Sequence, residues 1–271
     1  MLHVDHVVKR YGSFTAVDGV SFKAERGRIF GLLGPNGAGK TSTIRMITHI
    51  TVPDAGTVTL SGQPVGPASQ RRMGYLPEER GLYKKMKVGE QLVYLAQLKG
   101  MGRADAERTT RDWLGRLGLA DQWGAEVEAL SKGMQQKVQF VATIAHAPDL
   151  LILDEPFSGL DPINADLLRD IIQELRAAGR IILFASHRLE QVEKLCDDVC
   201  LIARGRVVLA GALGDVKRQF GSNALTLRFD GPDAWLDVLE RAGALAIESR
   251  SRGAAEVILA EATPTRTVLE A

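Results

Sequence analysis

The sequence predicts an α/β fold: a mainly parallel sheet with an antiparallel β edge, an inserted helical subdomain and a small α+β unit at the C-terminal end. Short, almost wholly apolar runs at 150–153 and 181–184 alternate with amphipathic helical segments, which is typical of parallel strands covered on both faces. Between about 88 and 147 the apolar period is helical throughout. Beyond 220 a strand-like alternation returns.

The apolar runs before residue 80 account for the first strands. The segments expected as strands are 4–8, 16–22, 29–33, 58–60 and 73–76. A helix running to about Ile50 is expected after the third of them, because Ile44 and Ile47 recur at helical spacing. A turn at 53–56, rich in turn-forming residues, separates this helix from the next strand.

Three helices are expected in the insertion at about 88–147. Their apolar stripes are Leu92, Leu95, Ala96 and Leu98, then Trp113, Leu114 and Leu117, then Val138, Val141, Ala142 and Ala145. Each stripe is expected to face the core, since apolar residues three and four apart share one side of a helix. Ser131 precedes the third helix.

The last quarter of the chain predicts a separate small unit. A hairpin is expected at 199–209, and 220–223 has the composition of a linker. A strand at 225–229, a helix around Trp235 and a strand at 257–259 then predict a β-α-β arrangement. The expected domains are therefore 1–220 and 221–271, and the second stops where another helix would begin, as a truncated domain would.

One stretch predicts chemistry as well as structure. It consists of Gly34, Pro35, Asn36, Gly37, Ala38, Gly39, Lys40 and Thr41, followed by Ser42. It fits G-x-x-x-x-G-K-[ST] between a buried strand and a helix, the pattern of a phosphate-binding loop. In such a loop backbone N–H groups surround a polyphosphate, Lys40 reaches the outer phosphates, and the Thr41 hydroxyl can hold Mg²⁺. A chance match in a glycine-rich turn is the alternative, and the flanking strand and helix argue against it.

Two acids, Asp154 and Glu155, directly follow the apolar strand at 150–153. Asp154 can hold Mg²⁺, and Glu155 can orient or deprotonate an attacking water. Such a pair alone is also explained as two surface acids, but beside a phosphate loop it predicts a nucleotide hydrolase. Because ligands gather at the carboxyl ends of parallel strands, Lys40, the two acids and His187 are expected in one site.

Composition excludes several classes of protein. The 271 residues are 45% apolar and 25% charged, as in an ordinary globular protein with an ample core. The net charge of +1 leaves no basic excess for nucleic acid. No apolar run approaches the ~20 residues of a membrane span, and the first residues lack the pattern of a secretory signal. Cys196 and Cys200 have no clustered partners for zinc, so they are expected as thiols in a reducing cytosol.

Five motifs in order resemble those of ATP-binding cassette (ABC) proteins, and the resemblance covers about 1–219. Besides the phosphate loop, 130–136 resembles the family signature, 151–156 the Walker B segment, 158–161 the D-loop, and 186–187 the switch histidine. The resemblance implies a P-loop NTPase core. The amino-acid sequences of 74–83 and 130–138 are most similar to those of bacterial export cassettes, such as sodium- and antibiotic-exporter ATPases. Members of that branch often carry a small C-terminal domain.

The resemblance also implies a role for each matched position. Tyr11 would stack on adenine, 36–42 would cradle the phosphates, His187 would hold the γ-phosphate, Ser131 and Gly133 would contact the γ-phosphate of ATP on the opposite cassette, and Asp161 would contact that cassette. For Tyr11 a half-buried strand tyrosine is the alternative, and for His187 a core histidine.

Glu78 departs from the family pattern, which usually has a Gln that senses Mg²⁺ and touches the membrane subunit. A carboxylate can still ligate the metal, so Glu78 joins Thr41 and Asp154 as an expected Mg²⁺ ligand. A solvated loop acid is the alternative. The signature has Lys132 and Met134 where Gly and Gln are common, but it keeps the serine and glycine, so an active site is expected.

The implied cofactors are ATP and Mg²⁺. The implied partners are a second cassette, in a homo- or heterodimer, and integral membrane permease subunits, with no nucleic acid. The implied location is peripheral, at the cytoplasmic face of the cell membrane. A soluble ABC ATPase acting on ribosomes or DNA is the alternative, although such proteins usually carry two cassettes, a coiled coil or a large insertion. A P-loop kinase of a small metabolite would leave the signature and the D-loop unexplained.

Overall fold

Two stacked sheets and an inserted group of helices make up the first of two compact units, Met1–Leu213 and Gly214–Ala271. The computed structural model describes residues 1–79, 81–220, 224–251 and 253–260. In chain order the elements of the first unit are β1 (Leu2–Tyr11), β2 (Phe14–Ala24), β3 (Ile29–Leu33), α1 (Lys40–Ile47), β4 (Ala55–Leu60), β5 (Gln63–Pro64), β6 (Met73–Leu76), α2 (Val88–Leu98), α3 (Arg103–Arg116), α4 (Lys132–Ile144), β7 (Leu150–Asp154), α5 (Pro162–Ala177), β8 (Ile181–Ser186), α6 (Leu189–Leu195), β9 (Asp198–Ala203) and β10 (Arg206–Ala212).

The sheet formed early in the chain is antiparallel and has the order β2-β1-β4-β5. Its strands alternate between buried and partly exposed residues, so one face packs inward and the other meets solvent. The inward face packs on the second sheet, where Phe22 of β2 stacks on Phe30 of β3 with ring centroids 4.8 Å apart. The main core therefore lies between the two sheets.

The second sheet has the order β10-β9-β3-β8-β7-β6, and all of its pairs except β10–β9 are parallel. All residues of β3, β7 and β8 are buried, as expected for parallel strands covered on both faces. In this register Leu33 of β3 lies beside Ser186 of β8, and Asp154 of β7 lies beside Ala185. Three strands thus end at the same level, which brings the segments that follow them together. The predicted fold class is confirmed.

The inserted helices α2, α3 and α4 lie between β6 and β7 in the chain. Leu92, Ala96, Leu114 and Val138 are buried, as the helical period predicts. The prediction for Leu98 is wrong, because this side chain is 59% exposed. Leu98 lies six residues after Leu92, more than one and a half turns along α2, and so it points to a different side of the helix.

The second unit contains β11 (Ala224–Arg228), α8 (Ala234–Arg241), β12 (Leu245–Ser251) and β13 (Ala254–Leu259), after α7 (Leu213–Phe220) at the boundary between the units. Its sheet is antiparallel with the order β11-β13-β12, a split β-α-β unit. Leu236 of α8 and Val257 of β13 are fully buried in its core. The strand β12 was not predicted from the sequence.

The boundary between the units lies seven residues before the one expected from the sequence. The expected boundary depended on the linker-like composition of 220–223, of which 221–223 lie outside the described residues, as do the last residues, 261–271. In the described part of the chain, no helix combines the length and the apolar character needed to cross a membrane.

Candidate nucleotide-binding site

The phosphate loop follows β3 and is packed tightly against neighbouring backbone. A Cβ atom at Gly34 would lie 2.2 Å from the carbonyl oxygen of Ile202, and one at Gly39 would lie 2.5 Å from that of Ala16. Both glycines also have positive φ angles, 153° and 108°. Larger residues would be excluded at both positions, so the glycines of this motif are needed for its close approach to β9 and β2.

Lys40, the first residue of α1, points back into this loop. Its Nζ donates hydrogen bonds to the carbonyl oxygens of Gly34 at 2.5 Å and Pro35 at 3.1 Å. Burial lowers the pKa of Lys40, and the carboxylates of Asp154, Glu155 and Glu78 act in the opposite direction. The ammonium therefore lies among acids and loop carbonyls at the N-terminal end of α1, where backbone N–H groups are free to bind an anion.

Glu155 lies directly after β7 and is held in place by the end of β8. Glu155 Oε2 accepts a hydrogen bond from Ser186 Oγ at 3.1 Å. Glu155 Oε1 accepts one from the His187 backbone N–H at 2.7 Å, and His187 Nδ1 also lies 2.7 Å from Oε1. Glu155 is only 7% exposed and has a φ angle of 49°. A non-glycine residue in this left-handed region indicates that the surroundings dictate the backbone here.

Asp154, the last residue of β7, lies among like charges. Burial raises the pKa of Asp154 to about 6, with further contributions from Glu78 and Glu155 that the charge of Lys40 opposes. An excess of carboxylates over cations in a buried place favours a divalent cation.

The donor set fits Mg²⁺ held jointly with a ligand. Hard oxygen donors are available from Asp154, Glu78 and the Thr41 hydroxyl, which line the same pocket. Among the described residues, no group of three or more His, Cys, Asp or Glu side chains is arranged to hold a metal by itself. Magnesium characteristically uses one or two carboxylates together with substrate phosphates, so the site suits an ion that arrives with a triphosphate.

Most of the predicted site residues line one pocket of about 440 Å³. These are Tyr11, Asn36, Gly37, Ala38, Gly39, Lys40, Thr41, Ser42, Glu78, Asp154, Glu155 and His187. Gly34 and Pro35 contribute through the carbonyls that hold Lys40. Phe14 and Ala16 of β2 line the pocket as well and were not singled out from the sequence. The signal for Phe14 was its position three residues after Tyr11, across a turn containing Gly12.

Ser131, Gly133 and Asp161 do not line this pocket. Ser131 is the N-cap of α4, where its Oγ accepts a hydrogen bond from the Met134 N–H at 3.2 Å. Asp161 is the N-cap of α5, where Oδ1 accepts one from the Asn164 N–H at 2.9 Å. The structure therefore separates the predicted site residues into a pocket group and a group at two helix N-termini.

Side-chain contacts tie the start of α4 to the loop that follows Glu155. Gln136 Nε2 donates to the carbonyl oxygen of Pro156 at 3.0 Å. Lys137 Nζ donates to Asn164 Oδ1 at 3.0 Å, and Asn164 Nδ2 donates to Asp161 Oδ2 at 2.6 Å. Gln136 and Lys137 are 2% and 8% exposed. The two helix N-termini are thus fixed relative to each other and to the residue after Glu155.

Glu78 lies on the loop between β6 and α2 and is exposed. Gln139 of α4 fixes this loop by donating to the carbonyl oxygens of Pro77 at 3.4 Å and Glu79 at 3.2 Å. Glu78 also lines a second, wider cavity of about 880 Å³, together with Lys132 of α4 and Ser158. It is therefore placed between the pocket and the helical insertion.

Comparison with known proteins agrees with this geometry. Residues 17–158 match the family described as ABC transporter. The chain is 49% identical over 230 residues to the uncharacterized ABC transporter ATP-binding protein YhaQ of Bacillus subtilis, covering 85% of this chain and 77% of the relative. It is 40% identical over 214 residues to the Nod factor export ATP-binding protein I of Ralstonia nicotianae, covering 78% and 67%.

A solved structure supports the same assignment. The solved structure of an ATP-binding subunit of an ABC transporter is 34% identical to this chain, with a TM-score of 0.77. The match covers 82% of this chain and 93% of the chain in that structure. Family, relatives and fold agree with a pocket built from a phosphate loop and two strand-end acids. The chain belongs to the ABC transporter family, in which it is an ATP-binding subunit with ATPase activity.

Proposed function

We propose that this subunit drives an ABC exporter: it hydrolyses MgATP in a dimer with a second ATPase subunit, and the dimer acts on a separate integral membrane permease from the cytoplasmic face of the membrane. The observation that carries the proposal is the separation of the site residues. One pocket holds the phosphate loop, both acids and His187, whereas Ser131, Gly133 and Asp161 lie outside it. A second subunit would bring its own copies of these three to complete the pocket.

Within the pocket each side chain has a role that follows from its position. The loop from Gly34 to Ser42 would bind the phosphates through backbone N–H groups and the Lys40 ammonium. Asp154, the Thr41 hydroxyl and Glu78 would hold Mg²⁺, which neutralises phosphate charge when bound. Tyr11, 44% exposed at the mouth of the pocket, would stack on the base.

Glu155 would orient and deprotonate the attacking water, as a buried carboxylate beside the phosphate site can. In the present geometry His187 and Ser186 hold this carboxylate. The His187 side chain is 49% exposed and lines the pocket, so it can also reach an incoming γ-phosphate. Binding of that phosphate would draw the His187 ring away from Glu155. The carboxylate oxygen that the ring contacts would keep its hydrogen bond from the His187 backbone N–H and would gain an open acceptor position for the water.

Export and a permease partner are supported by two further observations. The relative at 40% identity is named for export of Nod factor. Two apolar side chains are well exposed: Ile50, which follows α1, is 58% exposed, and Leu98, the last residue of α2, is 59% exposed. Ile50 lines a pocket of about 240 Å³ whose other residues include Tyr75 and Lys99. Exposed apolar side chains of this kind are suited to docking of a protein partner.

The test separates binding from chemistry. Glu155→Gln should bind MgATP with wild-type affinity, lose more than about 100-fold in kcat and accumulate an ATP-bound dimer in size-exclusion chromatography. Lys40→Ala should lose nucleotide binding itself. Glu79→Gln, on the loop beside Glu78 but outside the nucleotide pocket, is the matched control and should behave as wild type. A Glu155→Gln protein that hydrolyses ATP at the wild-type rate would refute the role of Glu155.

A further inference from the structure

The helix α4 packs against β6, the strand that continues into the loop carrying Glu78. A Cβ atom at Gly74 of β6 would lie 2.3 Å from the carbonyl oxygen of Thr143, so the two backbones meet without a side chain between them. Thr143 Oγ1 also lies 3.5 Å from the carbonyl oxygen of Tyr75, the next residue of the strand. Only glycine fits at such a contact, and α4 is thereby held close to the course of β6.

One turn earlier on α4, Gln139 reaches the loop beyond the end of β6. Its Nε2 donates to the carbonyl oxygens of Pro77 at 3.4 Å and Glu79 at 3.2 Å. These carbonyls belong to the residues directly before and after Glu78, so one amide group holds the backbone on both sides of Glu78. Gln139 is only 5% exposed, and its Oε1 is buried without a hydrogen-bond partner among the described residues. A buried amide left half satisfied is unfavourable, so helix stability alone does not explain a glutamine here.

The side chain of Glu78 extends from this clamped backbone into the nucleotide pocket. It lines that pocket together with Thr41 and Asp154, the other expected ligands of Mg²⁺. Its own side chain makes no hydrogen bond or ion pair recorded among the described residues, and it is exposed. The position of its carboxylate is therefore set mainly by the backbone, and the backbone is held by Gln139.

We propose that Gln139 is a positioning residue for Glu78: by holding the loop on both sides, it sets how far the carboxylate reaches toward the Mg²⁺ that accompanies a nucleotide. The inference rests on the proposed function, in which Glu78 is a ligand of that ion. Ser131 caps the same helix eight residues before Gln139, about 12 Å along its axis. A contact of the second subunit at Ser131 would thus be passed along α4 to the metal ligand of this subunit.

Titration of Mn²⁺ into the full chain with saturating ADP, followed by electron paramagnetic resonance of the free ion, tests this without turnover. Gln139→Met keeps the length of the side chain but has no donor. It should weaken Mn²⁺ by about tenfold, because partners that orient a metal ligand typically matter this much. ADP affinity in EDTA should stay at the wild-type value. Thr143→Val is the matched control, since it removes a buried hydroxyl from the same helix and leaves both loop contacts of Gln139 in place.

The same substitution in a Glu78→Ala background separates positioning from a general structural effect. Glu78→Ala alone should weaken Mn²⁺, and adding Gln139→Met should weaken it no further. Additive losses in the double variant, or a loss of ADP affinity in EDTA for Gln139→Met, would refute the inference, because the substitution would then act on the pocket as a whole.

The outcome for Glu78→Ala distinguishes this inference from the proposed function. If Glu78→Ala weakens Mn²⁺ while Gln139→Met binds it as wild type, the role of Gln139 is refuted and the proposed function stands. If neither variant affects Mn²⁺, Glu78 is not a ligand of the ion, and its role in the proposed function fails as well.

Discussion

Asp154 shows how a single buried charge ties the stability of this protein to pH. Its pKa is about 6, above the usual 3.8 of an aspartic acid. A carboxyl with a raised pKa stabilises the fold while it is protonated in both states, below about pH 4. That contribution is lost as the pH rises through about 6, where Asp154 ionises in the folded protein. Above pH 6 the ligand-free pocket therefore destabilises the fold.

After burial, the charge of Glu78 contributes most to the raised pKa of Asp154. Glu78→Gln removes that charge, so we expect the ligand-free protein to gain roughly 1 kcal/mol at pH 8, or about 2–4 °C in Tm. At pH 5 Asp154 is mostly protonated and the gain should nearly vanish. Differential scanning fluorimetry at the two pH values measures this, with Glu79→Gln as the control. An equal gain at both pH values would contradict the proposed charge interaction.

The sequence predicts the site residues that lie together in one motif, but not those that reach the pocket only through the pairing of strands. The residues of the phosphate loop are consecutive in the sequence, and so are the acids Asp154 and Glu155, so a motif identifies each group. Phe14 enters the pocket only because β1 and β2 pair in a register that sets it opposite Tyr11. The sequence motif identifies Ser186 only as the neighbour of His187, because the contact of Ser186 with Glu155 depends on the order of strands in the sheet.

At the scale of elements, α4 carries polar side chains that apolar periodicity does not explain. Gln136, Lys137, Gln139 and Thr143 are all at most 8% exposed, although a helical pattern would assign such residues to the solvent side. They are buried because each finds a partner in a neighbouring loop or in its own helix. The sequence therefore predicted the helix but not the contacts that fix it.

Lys137→Met tests the contact between α4 and α5. Methionine keeps the length of the side chain but cannot bind Asn164, so Asp161 and Ser131 would lose their fixed relation. We expect kcat to fall by about tenfold or more, with ADP affinity unchanged, because the pocket itself is intact. Lys194→Met, at an exposed lysine of α6, is the control. ATPase rates and calorimetry decide it, and a normal kcat would show that this contact is only structural.

The end of α1 and the strand β12 also differ from what the sequence predicts, and each difference has a physical cause. The helix expected to reach about Ile50 ends at Ile47, and His49 follows with a φ angle of 56°, which ends helical geometry. The strand β12 escaped prediction because its residues are mostly exposed, with Leu245 alone buried. A strand at the edge of a small sheet has few buried residues, so its sequence shows little alternation of apolar and polar residues.

For the whole molecule, the separation of Ser131 from the pocket predicts complementation between subunits. On the proposed function, Lys40→Ala should lose its own phosphate site, and Ser131→Arg should block the pocket of its partner. Mixing the two inactive proteins should restore about a quarter of the wild-type activity if subunits pair at random, since half the dimers are mixed and each has one intact site. Steady-state ATPase assays of the mixture measure this. Demonstrated mixed dimers without activity would show that each subunit works alone.

At this scale the parallel sheet and the helical insertion were predictable because long apolar runs and helical periods determine them. The division into two units at Leu213 was not, because the composition of the chain near a boundary does not report which contacts a helix such as α7 makes.

The strand order also has a consequence for biosynthesis. The phosphate loop leaves the ribosome early, but β3, the strand that carries it, has β8 and β9 as its neighbours, and these are made about 150 residues later. Its loop can therefore meet Asp154 only after β8 has inserted between β3 and β7. At 5–20 residues per second, this delay lasts roughly 10 to 30 seconds. During that time the apolar strand β3 lacks both of its neighbours. A nucleotide can therefore bind to and stabilise the pocket only in chains whose synthesis has passed β9.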